Sequence, residues 1–145
     1  MNPSDKIAKR FTYKDALWLP QWNRMANEAD GLNEEVLSNL KTLFGKMDGV
    51  REFFGLPIIV HVTYRPEAYN QLVKGAKNST HKYGMACDFH VAGIDCDAAR
   101  SKILDAKKLE EWNMRMEDLS DKESRNWIHL DIKELPPGGN RYFKP

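Results

Sequence analysis

The stretch Asn78-Ser79-Thr80-His81-Lys82-Tyr83-Gly84-Met85-Ala86-Cys87-Asp88-Phe89 decides how the chain is read. It places a histidine in a polar, turn-prone segment, follows it with a glycine, and then runs into an apolar-rich strand that carries one aspartate. Successive side chains of a strand point to opposite faces. Met85, Cys87, Phe89 and Val91 therefore share one face, while Ala86, Asp88 and His90 share the other. Asp88 faces away from the apolar side and needs a partner. Gly84 can take a positive φ without steric cost, which lets the chain turn between His81 and the strand and brings the two polar side chains together. An imidazole and a carboxylate so placed begin a metal site.

Trp127-Ile128-His129-Leu130-Asp131-Ile132 supplies the rest. Ile128, Leu130 and Ile132 alternate with Trp127, His129 and Asp131, the pattern of a half-buried strand with a histidine on its polar face. A histidine alone on a strand is more often solvated than ligating; two polar-faced strands change that balance. Two imidazole nitrogens and one carboxylate oxygen suit zinc, with a fourth position left for water. His81, Asp88 and His129 are the expected ligands of one Zn²⁺ per chain.

Ser79-Thr80-His81 followed by Gly84, Ala86 and Asp88, with Trp127-Ile128-His129 downstream, resembles the zinc D-alanyl-D-alanine carboxypeptidase family. Vancomycin-resistance dipeptidases and phage endolysins belong to that family, and the hedgehog signalling domain shares its fold. The resemblance extends upstream through Val62-Thr63-Tyr64-Arg65-Pro66, Asn70 and Gly75-Ala76-Lys77-Asn78, and Phe11-Thr12-Tyr13 is similar to the family's opening. It spans residues 10–133 and leaves 134–145 as a tail. It implies a zinc peptidase that hydrolyses an amide in peptidoglycan stem peptides, of the carboxypeptidase or phage-endolysin kind, with D-Ala-D-Ala, L-Ala-D-Glu and cross-bridge bonds all open.

The whole chain is consistent with this. With 145 residues it suits one domain burying about two-thirds of its unfolded surface. Lys and Arg number 22 against 21 Asp and Glu, a net charge of +1, so no strong field draws it to nucleic acid or acidic membranes. No apolar run approaches the ~20 residues of a membrane span, and Met1 to Lys6 lacks the apolar stretch of a signal peptide. The expected product is a monomer, soluble and cytoplasmic when synthesised, which acts on the wall after release. Cys87 and Cys96 show no CxxC spacing and are expected as reduced thiols, Cys87 in the core and Cys96 in a loop.

In chain order, residues 11–30 suggest a short helix and an irregular docking segment. Asn33 is a plausible N-cap for a long helix in which Val36, Leu37, Leu40, Leu43, Phe44, Met47 and Val50 recur at three- and four-residue spacings. Residues 58–63 alternate as a strand, a second helix starts at Glu67, and Gly75 to Asn78 form the loop into the site. Asp95 or Asp97 caps a further helix through Leu104 that ends near Glu110-Glu111. Trp112 to Glu117 and Trp127 to Ile132 make a hairpin, and Pro136-Pro137-Gly138-Gly139 breaks regular structure. The expected fold is α+β: a small, mainly antiparallel sheet with helices on one face and the zinc site on the other.

Hydrolysis also needs a general base. Many members of the resembling family carry an acid three residues before the final histidine, where this chain has Asn126. Glu123 and Glu117 are the two substitutes, and Glu117 is preferred because a strand holds a base more firmly than a loop tip. The resemblance gives Arg65 a catalytic and substrate-binding role, on a substrate carboxylate or on the oxyanion. Ser79 is placed to bind substrate or orient His81, and Asp131 to orient His129. His61 is read as structural, His90 as a pocket wall, and Trp127 as an apolar wall or core residue. Asn126 also supports an alternative: a zinc-containing binding domain without peptidase activity.

Overall fold

A computed structural model describes residues 1–119 and 126–144. Two short ribbons open the chain. Strands β1 (Lys6–Ala8) and β2 (Phe11–Thr12) pair antiparallel, helix α1 (Tyr13–Leu17) follows, and β3 (Trp18–Leu19) pairs with β4 (Arg24–Met25). The segment expected to be irregular thus contains paired strands. Thr12 caps α1 in a reciprocal box with Asp15, satisfying two backbone donors at once.

The long helix, α2 (Glu34–Phe54), begins where its apolar spacing predicts, with the Asn33 side chain accepting from the Val36 amide. Such a cap contributes about 1 kcal/mol. Gly55 ends the helix in the left-handed region at φ 65°. Leu40, Leu43, Phe44, Met47 and Val50 are fully buried on one stripe.

That stripe packs on a sheet. Strand β5 (Ile58–Val62), helix α3 (Glu67–Leu72), strand β6 (Ala86–Val91), helices α4 (Cys96–Asp105) and α5 (Lys108–Trp112), then strands β7 (Arg115–Glu117), β8 (Ile128–Asp131) and β9 (Tyr142–Phe143) complete the chain. The five-stranded sheet runs β5-β6-β8-β7-β9, antiparallel except for the parallel β7–β9 pair. Paired residues of adjacent strands point to the same face. Cys87 opposite Leu130 and Phe89 opposite Ile128 therefore face the core shared with α2 and α4, while Asp88 opposite His129 faces the other way. The architecture is the expected α+β layering.

Three local expectations change. The helix after Asp95 breaks in two, because Lys107 takes a positive φ of 55°; Cys96 opens α4 and is buried, where a loop was expected. Trp112 closes α5, so the strand expected to start there is only Arg115–Glu117. The tail is not free of regular structure: beyond the Pro-Gly turn, β9 joins the sheet edge. Both cysteines are free thiols, and burial pushes the Cys87 thiol above its ordinary range.

Candidate metal centre

His81 lies in a short 3-10 turn, Thr80–Tyr83, capped at its start by the Ser79 hydroxyl, which accepts from the His81 amide at 3.2 Å. Gly84 ends the turn at φ 71°, as the sequence required. A Cβ there would come within 3.0 Å of Val36 and Leu40, so this turn rests directly on α2. Asn39 of α2 donates to the Tyr83 carbonyl at 2.9 Å and holds it down.

Strands β6 and β8 deliver the other two candidate ligands side by side, since Asp88 and His129 are register partners. His81, Asp88 and His129 bring one ligand atom each to within 4.8 Å of one another. Nε2 of His81 is 3.1 Å, and Nδ1 of His129 3.0 Å, from Oδ1 of Asp88.

The opposite edge of each imidazole is tied to an acceptor. His81 Nδ1 donates to the Thr63 carbonyl at 2.7 Å, and His129 Nε2 donates to Oδ2 of Asp131 at 2.9 Å. Fixing one nitrogen as the donor leaves the other edge facing Asp88, where His129 Nδ1–H donates to Oδ1 and, on losing that proton, would turn its lone pair to a metal ion. Nε2 of His81 is buried and has no hydrogen-bond partner of acceptable angle. A buried, unpartnered nitrogen beside a carboxylate and a second imidazole is the donor set of a divalent transition-metal site.

The electrostatics agree. Burial opposes ionisation of Asp88, yet the two histidines hold its carboxyl below the ordinary range. Burial also opposes charge on His129, but the carboxylates of Asp131 and Asp88 raise it to about 10. Asp131, fully buried, is brought down to about 2 against the cost of burial, chiefly by Arg115. Arg115 grips it with Nε to Oδ1 and Nη2 to Oδ2, both at 2.8 Å. Arg115 thus balances the charge of Asp131, and Asp88 keeps its negative charge turned toward the two imidazoles.

These three side chains open into a cleft of about 350 Å³, which Arg65, Ser79, Glu117, Trp127, Lys133 and Phe143 also line. Glu117 Oε2 is 3.5 Å from the ligating edge of His129. Glu123 falls outside the described residues, and Asn126 is exposed and does not line the cleft. Arg65 donates from Nη2 to the Ser79 hydroxyl at 3.1 Å, and its buried Nε has no partner. Burial lowers its pKa, against the pull of Asp88. Gly75 makes room for it: a Cβ there would lie 2.0 Å from Oδ1 of Asn70 and 3.0 Å from Nη1 of Arg65. His90, expected as a pocket wall, instead meets His61 ring to ring, Nε2 to Nδ1 at 2.6 Å, and does not line the cleft.

Three participants were not visible beforehand. The Thr63 carbonyl is a backbone atom and leaves no side-chain signal. The Arg115–Asp131 pairing requires the strand register. Phe143 sits on a two-residue strand without periodicity. A larger groove, about 910 Å³, lies by Trp18, Met25 and Leu37, and among the described residues it gathers no cluster of three ligating side chains.

Two imidazoles and a carboxylate beside a second acid and a buried arginine are the kind of donor set found in hydrolytic metal sites with three protein ligands. The family model for Peptidase M15 matches residues 19–131, and the chain belongs to that zinc-dependent peptidase family. A search of the curated proteins finds no match. Among the described residues no helix is long and apolar enough to cross a membrane.

Proposed function

We propose that this chain is a zinc metallopeptidase that hydrolyses an amide bond in peptidoglycan stem peptides, as a D-Ala-D-Ala carboxypeptidase or an endolysin-type endopeptidase. We further propose that it is phage-encoded, monomeric, and made in the cytoplasm for release onto the wall. The observation that carries the enzymatic reading is the position of Glu117, an acid 3.5 Å from a ligand nitrogen in a cleft wide enough for a peptide.

His81 Nε2, Asp88 Oδ1 and His129 Nδ1 would hold the ion. Bound there, zinc would lower the pKa of water to about 7 and polarise the scissile carbonyl. Glu117 accepts the proton of the attacking water as its oxygen bonds to the carbonyl carbon. The same carboxyl then returns that proton to the amide nitrogen as the C–N bond breaks, leaving a carboxylate and an amine; such transfer is worth roughly 10²- to 10⁴-fold. Arg65, desolvated and anchored on Ser79, offers a fixed cation to the developing oxyanion or to a substrate carboxylate.

Purified peptidoglycan, incubated with the protein, with chelator, and with zinc restored, tests this, the released ends being identified by mass spectrometry. Chelator-sensitive cleavage that zinc restores is expected. A folded protein that takes up zinc stoichiometrically yet cuts no wall type would identify a binding domain instead.

A further inference from the structure

The last strand lies beyond the residues matched by the family model, yet it closes one side of the site. Register pairs Phe143 with Glu117, so the ring emerges on the ligand-bearing face. Backbone hydrogen bonds hold the strand there: Met116 N–H donates to the Arg141 carbonyl at 2.7 Å, and Asp118 N–H to the Phe143 carbonyl at 2.7 Å. The Arg115 guanidinium carbon lies 4.0 Å from the centre of the Phe143 ring. The same ring meets His129 edge-on, centroids 6.1 Å apart at 82°.

We infer that Phe143 is a positioning residue for metal ligation, acting on His129 through Arg115 and Asp131. The ring covers the guanidinium, whose side chain is 15% exposed. A cation over an aromatic face is attracted by the ring quadrupole, more strongly when both are desolvated. With water kept off, the bidentate Arg115–Asp131 pair stays in one geometry, and Asp131 in turn holds Nε2–H of His129. The lone pair of His129 Nδ1 is thereby aimed at the ion. Removing the ring hydrates Arg115, loosens Asp131, and frees the imidazole to rotate.

This inference rests on the metal reading, and the test separates the two. Zinc affinity is measured by competition with a chromophoric chelator, for the wild type, Phe143→Ala, Phe143→Tyr and Arg115→Lys, and for Phe143→Ala combined with Arg115→Lys. A wild type that binds no zinc overturns the metal reading itself. If the wild type binds, Phe143→Ala should weaken affinity roughly three- to thirtyfold. Phe143→Tyr should retain the affinity. The double variant should bind no more weakly than Arg115→Lys alone, because the two residues act in series. Wild-type affinity in Phe143→Ala overturns the proposal, as does full additivity in the double variant, whatever the melting temperatures do. Should Phe143→Ala lose its far-ultraviolet spectrum, Phe143→Leu keeps the apolar bulk without the quadrupole and is expected to show a smaller loss, and wild-type affinity in it would overturn the proposal.

Discussion

Asp131 accepts the Nε2 proton of His129 at 2.9 Å and thereby decides which edge of the imidazole faces Asp88. One strand supplies both residues, two positions apart, so the ligand and the group that orients it cannot drift relative to one another. Arg115 then fixes the carboxylate from the neighbouring strand.

Replacing this carboxylate tests the arrangement directly. Asp131→Asn retains an acceptor but removes the charge, and it should lower zinc affinity about 10- to 100-fold. Folding stability should fall by about 1–3 kcal/mol, because Arg115 loses its counter-charge in a largely buried place. Chelator competition and denaturant unfolding measure the two effects separately; unchanged affinity would remove Asp131 from the account of the site.

Glu117→Gln should leave zinc affinity near that of the wild type while turnover drops by roughly 10²- to 10⁴-fold. Glu123→Gln should remain active. The reverse pattern of activities, measured on the same peptidoglycan fragments, would transfer the role of base to Glu123.

Metal removal makes stability depend on pH in a defined direction. In the chelated protein His129 rises from 6.5 to about 10, so its contribution is complete below pH 6.5 and is lost as pH climbs through 10. Asp131 falls from 3.8 to about 2, so its contribution is present above pH 3.8 and is lost as pH drops through 2. Bound zinc would take the place of the His129 proton. The melting temperature should therefore decline between pH 6.5 and 10 in chelator and hold in zinc; parallel curves would contradict the assignment.

Gly75→Ala and Gly45→Ala should act oppositely. At Gly75 the added methyl must displace Asn70 and Arg65, so catalytic efficiency should fall at least tenfold, with about 1–3 kcal/mol of stability. At Gly45, inside α2 with nothing within 4 Å, the same change should stabilise by about 0.5–1 kcal/mol and leave activity alone. Thermal melts and steady-state kinetics on both variants provide the comparison.

Strand alternation made much of this legible. It assigned Asp88, His129, Asp131 and Glu117 to polar faces, and those faces are one surface because β6, β8 and β7 are adjacent in the sheet. The apolar stripe and the Asn33 cap announced α2 because both are local signals. What stayed hidden depends on distant parts of the chain. Lys107 adopts a left-handed conformation that ordinary residues seldom take, so no residue type flagged the break between α4 and α5. Tyr142 and Phe143 form a strand only because β7 offers an unpaired edge. His90 turned out to be occupied by His61 through a bulge in β5 that alternation alone does not show.

Gly84 brings the turn of His81 so close to Val36 and Leu40 that a methyl group there would have to push the helix side chains aside. The long helix consequently works as a splint, and the tolerance of the metal centre is set partly by side chains that never see the cleft. Anyone varying this protein for greater robustness would do well to leave that stretch of the helix untouched, since swelling it by a carbon or two would lever a ligand out of line while the fold itself survived.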